Sequence, residues 1–219
     1  MRGILYFVLG SALVGLGLRS CALETFRVVG GGMAPAIFAG DILLVSKLYY
    51  GFRVPGSGSR ILTWKAIERG DLVILNDVGE PQVTIARRVV GLPGDRFRRN
   101  GGVVEIKVGE VWARLPCEPV KDHPDFCHGE FQRDWRPLVR EVPVGETTLH
   151  PTEVLLGEGE YYVLADDRRD GPDSRQFGAV SMESVLGKVL RIVVPTTEIP
   201  VDKFPPSTLN NRGYLTPAL

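Results

Sequence analysis

Cysteine and histidine side chains cluster in one short segment, where Cys117 and Cys127 flank His123, and His128 follows directly. If this segment is exported to an oxidising compartment, we expect Cys117 and Cys127 to form a disulfide. Free thiols are one alternative, and a zinc site that also uses the histidines is another. Because Cys127 and His128 are adjacent, their joint ligation of one tetrahedral ion is awkward. We therefore predict neither a metal nor another cofactor.

Two arginines that could bind an anion lie at the end of an apolar strand. In ARRVVGLPGDRF, Arg87 and Arg88 precede a Gly-Leu-Pro-Gly-Asp turn, in which Pro and Gly supply the torsion angles of a tight turn. Successive strand residues point to opposite faces of a sheet. We expect one guanidinium to be buried against a carboxylate and the other to face a groove; two solvated arginines are the alternative.

Carboxylates and arginines alternate in the segment LADDRRDGPDSRQFG. Its acidic positions partly fit a calcium-binding loop, but Arg168 and Phe177 stand at the third and twelfth positions, where that loop needs oxygen ligands. We therefore predict a turn that internal carboxylate–guanidinium pairs stabilise. Asp173 and Arg175 are the candidates for such a pair.

The elements that must position these groups are mostly short strands. Runs rich in Val, Ile and Leu are separated by Gly, Pro and Asp, and segments that could form even a short helix are few: TWKAIERG and SMESVLGK. This pattern predicts a mainly β domain, a barrel or a sandwich. No internal repeat is visible.

The domain boundaries follow from where this pattern is regular. We assign the β core to residues 24–102 and 156–198, and read residues 103–155, which contain the cysteine pair, as an inserted cap region. Residues 199–219 are rich in Pro, Thr and Asn, and we expect an extended or disordered tail.

The N-terminus has a different composition from the rest of the chain. Only uncharged residues lie between Arg2 and Arg19; as a helix they span about 24 Å, somewhat less than a bilayer core of about 30 Å. We expect residues 1–23 to be an uncleaved transmembrane anchor. A cleaved secretory signal, a lipoprotein signal at Cys21 and a buried core helix are the alternatives. Arg2 favours a cytoplasmic N-terminus with the domain outside.

The charge of the chain points to no polyanionic partner. Lys and Arg together number 26, as do Asp and Glu, so no overall electrostatic field favours nucleic acid, and we predict no nucleic-acid partner.

One turn of the chain is notable for having no reactive side chain. The glycines Gly30 to Gly32 stand between an apolar segment and Met33.

Four separated motifs lie between about Phe26 and Val189, namely GGGMAPAIFAGDILLVSKLYYG, RGDLVIL, ARRVVGLPGD, and DDRRDGPDSRQFG with VLGKV. The motifs and their order resemble those of the signal peptidase I family (peptidase family S26). These membrane-anchored serine proteases cut signal peptides from exported proteins. The resemblance implies their complex β fold, and residues 103–155 are unmatched in detail.

The resemblance also assigns the catalytic positions of that family, and here they hold other residues. The nucleophilic serine corresponds to Gly32, and the serine that assists the oxyanion hole corresponds to Gly30. The general-base lysine corresponds to Arg87, and the serine that orients this lysine corresponds to Gly171. The family's structural arginine corresponds to Arg88, for which we expect Asp173 as the partner.

These replacements imply a catalytically inactive homologue. Gly32 has no atom that could form an acyl-enzyme, and an arginine stays protonated because its pKa exceeds about 12. Loss of a nucleophile alone costs about six orders of magnitude in the subtilisin case. The alternative is an active peptidase with relocated residues, for which Thr84, Ser46 and Lys47 are the nearest candidates.

The family's cleft binds an extended peptide by strand pairing, with small pockets for Ala-like side chains. Apolar residues remain at the matching pocket positions, namely Phe26, Val28, Met33 and Ile85. A permanent cation at Arg87 would favour a carboxylate, such as the end of a cleaved peptide. Alternatively, Arg87 fills space and pairs with Asp166 or Asp170.

The resemblance places the protein in the bacterial inner membrane, as a single-pass protein with its domain in the periplasm. The implied partners are signal-peptide or other extended segments, the lipid bilayer, and an active signal peptidase or another secretion component. A purely structural scaffold with an unused groove is a further alternative.

Overall fold

The computed structural model describes a large part of the chain, with interruptions. The described residues are Tyr6 and the ranges 22–53, 59–77, 83–100, 103–115, 117–120, 123–129, 138–140, 153–169 and 171–196. The tail from residue 199 and nearly all of the predicted anchor lie outside them. Within the described residues there is no helix long and apolar enough to cross a bilayer.

Short antiparallel strands make up most of the described chain, so the prediction of a mainly β protein is confirmed. The strands in chain order are β1 Leu23–Arg27, β2 Ile42–Ser46, β3 Gly51–Arg53, β4 Arg60–Thr63, β5 Leu72–Asn76, β6 Thr84–Gly91, β7 Arg96–Asn100, β8 Val103–Val108, β9 Val111–Arg114, β10 Cys117–Val120, β11 His123–Gly129, β12 Leu138–Arg140, β13 Glu153–Leu155, β14 Glu160–Leu164, β15 Val180–Ser181 and β16 Val185–Val194. Within the described ranges, the chain also forms a short helix, α1 (Ser174–Phe177), and a 3₁₀ turn, Met182–Ser184. TWKAIERG forms no helix.

A seven-stranded sheet, in the order β1-β2-β16-β5-β6-β14-β15, forms the centre of the fold. Side chains alternate between the faces of a strand, and β5 shows this directly. Leu72 and Ile74 pack into one hydrophobic cluster, whereas Val73 and Leu75 pack into another. Both faces of the central sheet are therefore covered, which explains the nearly continuous apolar run of this strand.

A second sheet, in the order β13-β7-β8-β9, packs beside the first. Phe97 stacks on Tyr162 with 4.7 Å between ring centroids and an interplanar angle of 7°. A Cβ at Gly91 would lie 2.4 Å from the Phe97 ring, so this close approach requires glycine. Regular strands thus continue to Arg114, beyond the boundary at residue 102 that the sequence suggested.

The cysteine segment forms a third sheet, β10-β11-β12. Pro119 pairs with Cys127 and Cys117 with Gly129, so the backbone places the two cysteines on neighbouring strands, in diagonal positions. Their side chains lie outside the described residues, and the disulfide stays a prediction.

Candidate functional site

The glycine turn is closed by hydrogen bonds at its base. The Val28 amide donates to the Asp41 carbonyl (2.9 Å), and the Gly40 amide donates to the Val28 carbonyl (2.8 Å). The buried Asp41 carboxylate accepts from the Phe38 amide (2.8 Å). Within the turn, Gly30 is exposed, and a Cβ there would meet no heavy atom within 4 Å. Hydrogen bonds at the base therefore hold the loop in place, and packing around Gly30 does not contribute.

Three positions that are distant in sequence meet beside this turn. A Cβ at Gly171 would lie 2.7 Å from Nη2 of Arg87 and 3.8 Å from Cα of Gly32. The Asp167 amide donates to the carbonyl of Gly32 (2.9 Å), which joins the charged loop to the glycine turn. Gly32, Arg87 and Gly171 are thus neighbours, whereas Gly30 lies at the open side.

Carbonyl groups of its own chain hold the Arg87 guanidinium. Its Nε donates to the Pro172 carbonyl (2.8 Å) and its Nη1 to the Ala86 carbonyl (2.5 Å). The residue is only 5% exposed. The sequence suggested two carboxylates as partners of Arg87. Asp166 pairs with Arg88 instead, and Asp170 lies outside the described residues. These contacts hold the Arg87 guanidinium inside the fold.

Arg88 pairs with Asp166, so the expected Arg88–Asp173 pair was wrong. Nε of Arg88 donates to Oδ1 of Asp166 (2.7 Å) and Nη2 to Oδ2 (2.5 Å), with both side chains fully buried. The register explains the choice. Arg88 lies opposite Leu164 at the end of β14, and Asp166 follows two residues later.

Asp173 is occupied within its own loop. Its carboxylate accepts from Nε (2.9 Å) and Nη2 (2.8 Å) of Arg175 and from the Ala165 amide (3.0 Å). Arg175 also donates to the Arg168 carbonyl (2.7 Å). The Asp173–Arg175 pair suggested by the sequence is therefore present. It fixes the loop that carries Gly171, whose φ of +82° is readily adopted only by glycine.

Three of the four predicted pocket residues share one hydrophobic cluster. Phe26 and Val28 are half-buried and pack against the cluster that contains Met33. Ile85 instead packs into a different cluster, and its neighbour Ala86 joins the first. Ala86 was not among the predicted pocket residues, because strand alternation places Ile85 and Ala86 on opposite faces of β6 without indicating which face meets the glycine turn.

Beside these residues, β6 has a strand edge without a partner in the described part of the chain. β6 pairs with β5 over Thr84–Arg88, but β14 reaches only residues 88–91 on the other side. Backbone groups at an unpaired edge are available to an added strand. This arrangement leaves room for an extended segment along the first half of β6.

The relocated candidates have other contacts. Nζ of Lys47 forms an ion pair with Glu24 at 2.5 Å, and Thr84 is exposed at the start of β6. Ser46 lies opposite Lys188 in the sheet register. Nζ of Lys188 is 2.6 Å from the Asp71 carboxylate, so its ammonium group is held in an ion pair away from Ser46.

No group of three or more His, Cys, Asp or Glu residues suited to a metal ion is found among the described residues. The side chains of His123 and His128 are not among them.

Comparison with known proteins gives a consistent result. The family model "Signal peptidase, peptidase S26" matches residues 1–194. Signal peptidase I of Pseudomonas fluorescens is 27% identical over 202 residues, which cover 87% of this chain and 71% of that protein. Signal peptidase I of Pseudomonas aeruginosa is 28% identical over 196 residues, which cover 81% and 66%.

Among solved structures, a signal peptidase I from Enterococcus faecalis V583 matches with a TM-score of 0.36 and 23% identity. The match covers 57% of this chain and 97% of that one.

Proposed function

The chain belongs to the signal peptidase family, peptidase S26, and from this membership we propose that it binds signal-peptide-like extended segments without cleaving them. Signal peptidases act on signal peptides at a membrane. The chain spans 71% and 66% of the lengths of the two Pseudomonas relatives.

The neighbourhood of Gly32, Arg87 and Gly171 supports the absence of cleavage. A serine-type mechanism needs a hydroxyl and a base within hydrogen-bond reach of it. Two of the three positions have no side chain, and the third holds a guanidinium that is 5% exposed and bonded to backbone carbonyls. A guanidinium does not accept a proton near neutral pH.

The unpaired edge of β6 is the observation that carries the proposed binding. An added peptide strand gains affinity from backbone hydrogen bonds and specificity from pockets for alternate side chains. Thr84–Arg87 offer the edge, and the half-buried Phe26, Val28 and Ala86 lie in one apolar cluster. Small apolar side chains of a bound peptide would pack against this apolar cluster.

The proposal includes a location. The N-terminal segment that precedes β1 anchors the protein in the bacterial inner membrane, and the β domain lies on the outer side, where exported segments emerge. An active signal peptidase or another secretion component is then a natural partner. The uninterrupted uncharged run between Arg2 and Arg19 supports this topology.

A binding experiment with matched variants tests the proposal. The full-length chain in detergent is titrated with a fluorescent peptide whose C-region reads Ala-x-Ala, and with a second peptide in which Phe replaces both alanines. We expect the Ala peptide to bind at least about tenfold more tightly, because small pockets exclude the larger ring. Equal affinities would contradict specific recognition.

Ala86→Leu should weaken binding of the Ala peptide, since the added methyl groups occupy the proposed pocket. Ala113→Leu is the control, because Ala113 is also half-buried but belongs to β9 of the separate sheet. If neither peptide binds the wild-type chain, the scaffold alternative replaces the binding proposal.

A further inference from the structure

The open edge of β6 presents the backbone groups of two particular residues. In an antiparallel pair, opposite residues alternate between those that exchange hydrogen bonds and those that do not. The Asp77 amide donates to the Val83 carbonyl (2.8 Å) just before β6, and the register on β5 then continues residue by residue. Alternate residues counted from Val83 therefore bond to β5, whereas Thr84 and Ala86 direct their N–H and C=O groups toward the open edge.

An occupant of this edge also meets an apolar surface. Ala86 packs against the hydrophobic cluster that contains Met33, as do the half-buried Phe26 and Val28. The Ala86 carbonyl accepts a hydrogen bond from Nη1 of Arg87 (2.5 Å), and a carbonyl has a second lone pair for another donor. The edge therefore suits a strand with free N–H groups and small or aliphatic side chains.

The C-terminal tail leaves the described fold at the base of the glycine turn. The Thr196 amide donates to Oδ1 of Asp41 (2.7 Å), and a Cβ at Gly40 would lie 2.9 Å from the Thr196 hydroxyl oxygen. The Gly40 amide in turn donates to the carbonyl of Val28 (2.8 Å). Residues 197–219, which lie outside the described part of the chain, therefore start close to one of the predicted pocket residues.

One part of this tail has the sequence of a pairing strand. Residues 207–216 read STLNNRGYLT, the longest run without proline beyond Thr196. Proline has no N–H group to donate to a neighbouring strand, so the earlier part of the tail, with Pro200, Pro205 and Pro206, is less suited. The run contains small and aliphatic side chains and a single charge, at Arg212.

The preceding residues are long enough to bring this run to β6. Residues 197–206 span up to about 35 Å when extended. The path that they must cover begins near Val28, and Gly32 follows four residues later, at most about 14 Å away. Gly32 and Arg87 are both neighbours of Gly171, so the edge of β6 lies within reach.

We propose that residues 207–216 occupy the open edge of β6 as an added strand and compete there with exported segments. The inference rests on the proposed peptide site and adds regulation to it, since a peptide must displace the tail. A segment on a short linker has an effective concentration of about 1 mM. If it binds with a Kd of about 0.1 mM as a free peptide, it weakens peptide binding about tenfold.

Hydrogen exchange tests the contact without any added peptide. The full-length chain in detergent is compared with Leu209→Pro/Tyr214→Pro, which removes two N–H groups from the proposed strand. Val201→Pro/Phe204→Pro is the matched control, because it replaces one aliphatic and one aromatic residue in the linker. We expect the Thr84 and Ala86 amides to exchange about tenfold faster in the first variant and at the wild-type rate in the control. Amides of β8 should be unaffected in both.

Peptide titration tests the competition. The Ala-x-Ala peptide should bind Leu209→Pro/Tyr214→Pro about tenfold more tightly than it binds the wild type and the control variant. A synthetic peptide of residues 207–216, added to Leu209→Pro/Tyr214→Pro at millimolar concentration, should restore slow exchange at Thr84 and Ala86.

The two measurements separate this inference from the proposed function. Unchanged exchange at Thr84 and Ala86 in Leu209→Pro/Tyr214→Pro would overturn the tail contact, even if the Ala-x-Ala peptide binds. Faster exchange at β1 in place of β6 would overturn it as well. Faster exchange at these two amides, with no peptide binding to any variant, would support the tail contact and refute peptide binding.

Discussion

At the scale of single residues, the guanidinium of Arg87 packs closely against Gly171. A Cβ at Gly171 would lie 2.7 Å from Nη2 of Arg87, closer than two such atoms can approach without displacement. The guanidinium occupies the space that a side chain at residue 171 would need. The two positions that the motif resemblance assigns to the base and its orienting serine therefore constrain each other in this chain.

The first prediction measures this coupling. Gly171→Ala and Gly94→Ala both place alanine at a positive φ, +82° and +89°, but the space around Gly94 is open. Each should cost about 1–3 kcal/mol for the backbone conformation. Gly171→Ala should cost about 1 kcal/mol more, because Arg87 must leave a hydrogen bond.

The measurement is urea unfolding of each variant. In the Arg87→Lys background we expect the excess cost of Gly171→Ala to disappear, since the shorter ammonium group leaves the space. Equal costs of the two alanine substitutions in the wild-type background would show that Arg87 does not constrain residue 171.

The second prediction concerns restoration of activity. On the proposed assignment of positions, Gly32→Ser, Arg87→Lys and Gly171→Ser together supply a nucleophile, a base and its orienting hydroxyl. We expect slow but detectable cleavage of a model preprotein by the triple variant, whereas Gly32→Ser alone should cleave nothing because Arg87 cannot accept its proton. Complete inactivity of a folded triple variant would indicate that the cleft geometry differs from that of an active peptidase.

At the scale of elements, the buried Arg88–Asp166 pair joins β6 to the loop after β14. Removing one partner of a buried pair leaves an uncompensated charge and costs about 3–5 kcal/mol. We therefore predict that Asp166→Ala strongly lowers the free energy of unfolding. Glu153→Ala is the control, because Glu153 and Arg96 are about half-exposed and 3.6 Å apart, and a surface pair contributes less than about 1 kcal/mol. Similar losses in chemical denaturation would refute this distinction.

A buried polar network connects the residues just before β3 and β5 to β16. The Tyr50 hydroxyl donates to Asp71 (2.7 Å), and Nζ of Lys188 is 2.6 Å from the same carboxylate. Burial, and after it the charge of Asp71, raises the pKa of Tyr50 well above its usual range. The folded protein therefore keeps this proton at pH values where the unfolded chain loses it.

The fourth prediction follows from that difference. Below about pH 10 both states hold the Tyr50 proton; above it only the unfolded state releases the proton, and stability falls by up to about 1.4 kcal/mol per pH unit. Tyr50→Phe should lose about 1 kcal/mol near neutrality through the missing hydrogen bond and show a shallower alkaline decline. Thermal melts from pH 8 to about 11 measure both effects. An unchanged alkaline slope would contradict the assignment to Tyr50.

For the whole molecule, local patterns predicted the strands, and motif order predicted the family that the match over residues 1–194 shows. The predictions that were wrong or incomplete depended on how the strands are placed relative to one another. The partner of Arg88 is set by the register of β6 against β14, and the shift from Ile85 to Ala86 depends on which face of β6 meets the glycine turn. Neither quantity is present in the spacing of residues along the chain.

The central claim, binding without cleavage, is tested most directly in a single tube. The full-length chain is incubated with a signal-peptide substrate that carries a fluorophore at one end and a quencher at the other, together with a bulky control peptide. Anisotropy reports binding, and fluorescence gain reports cleavage. We predict saturable binding of the substrate with no cleavage after prolonged incubation. Cleavage that is retained after Gly32→Ala and lost on denaturation would contradict the account and require a nucleophile elsewhere in the chain.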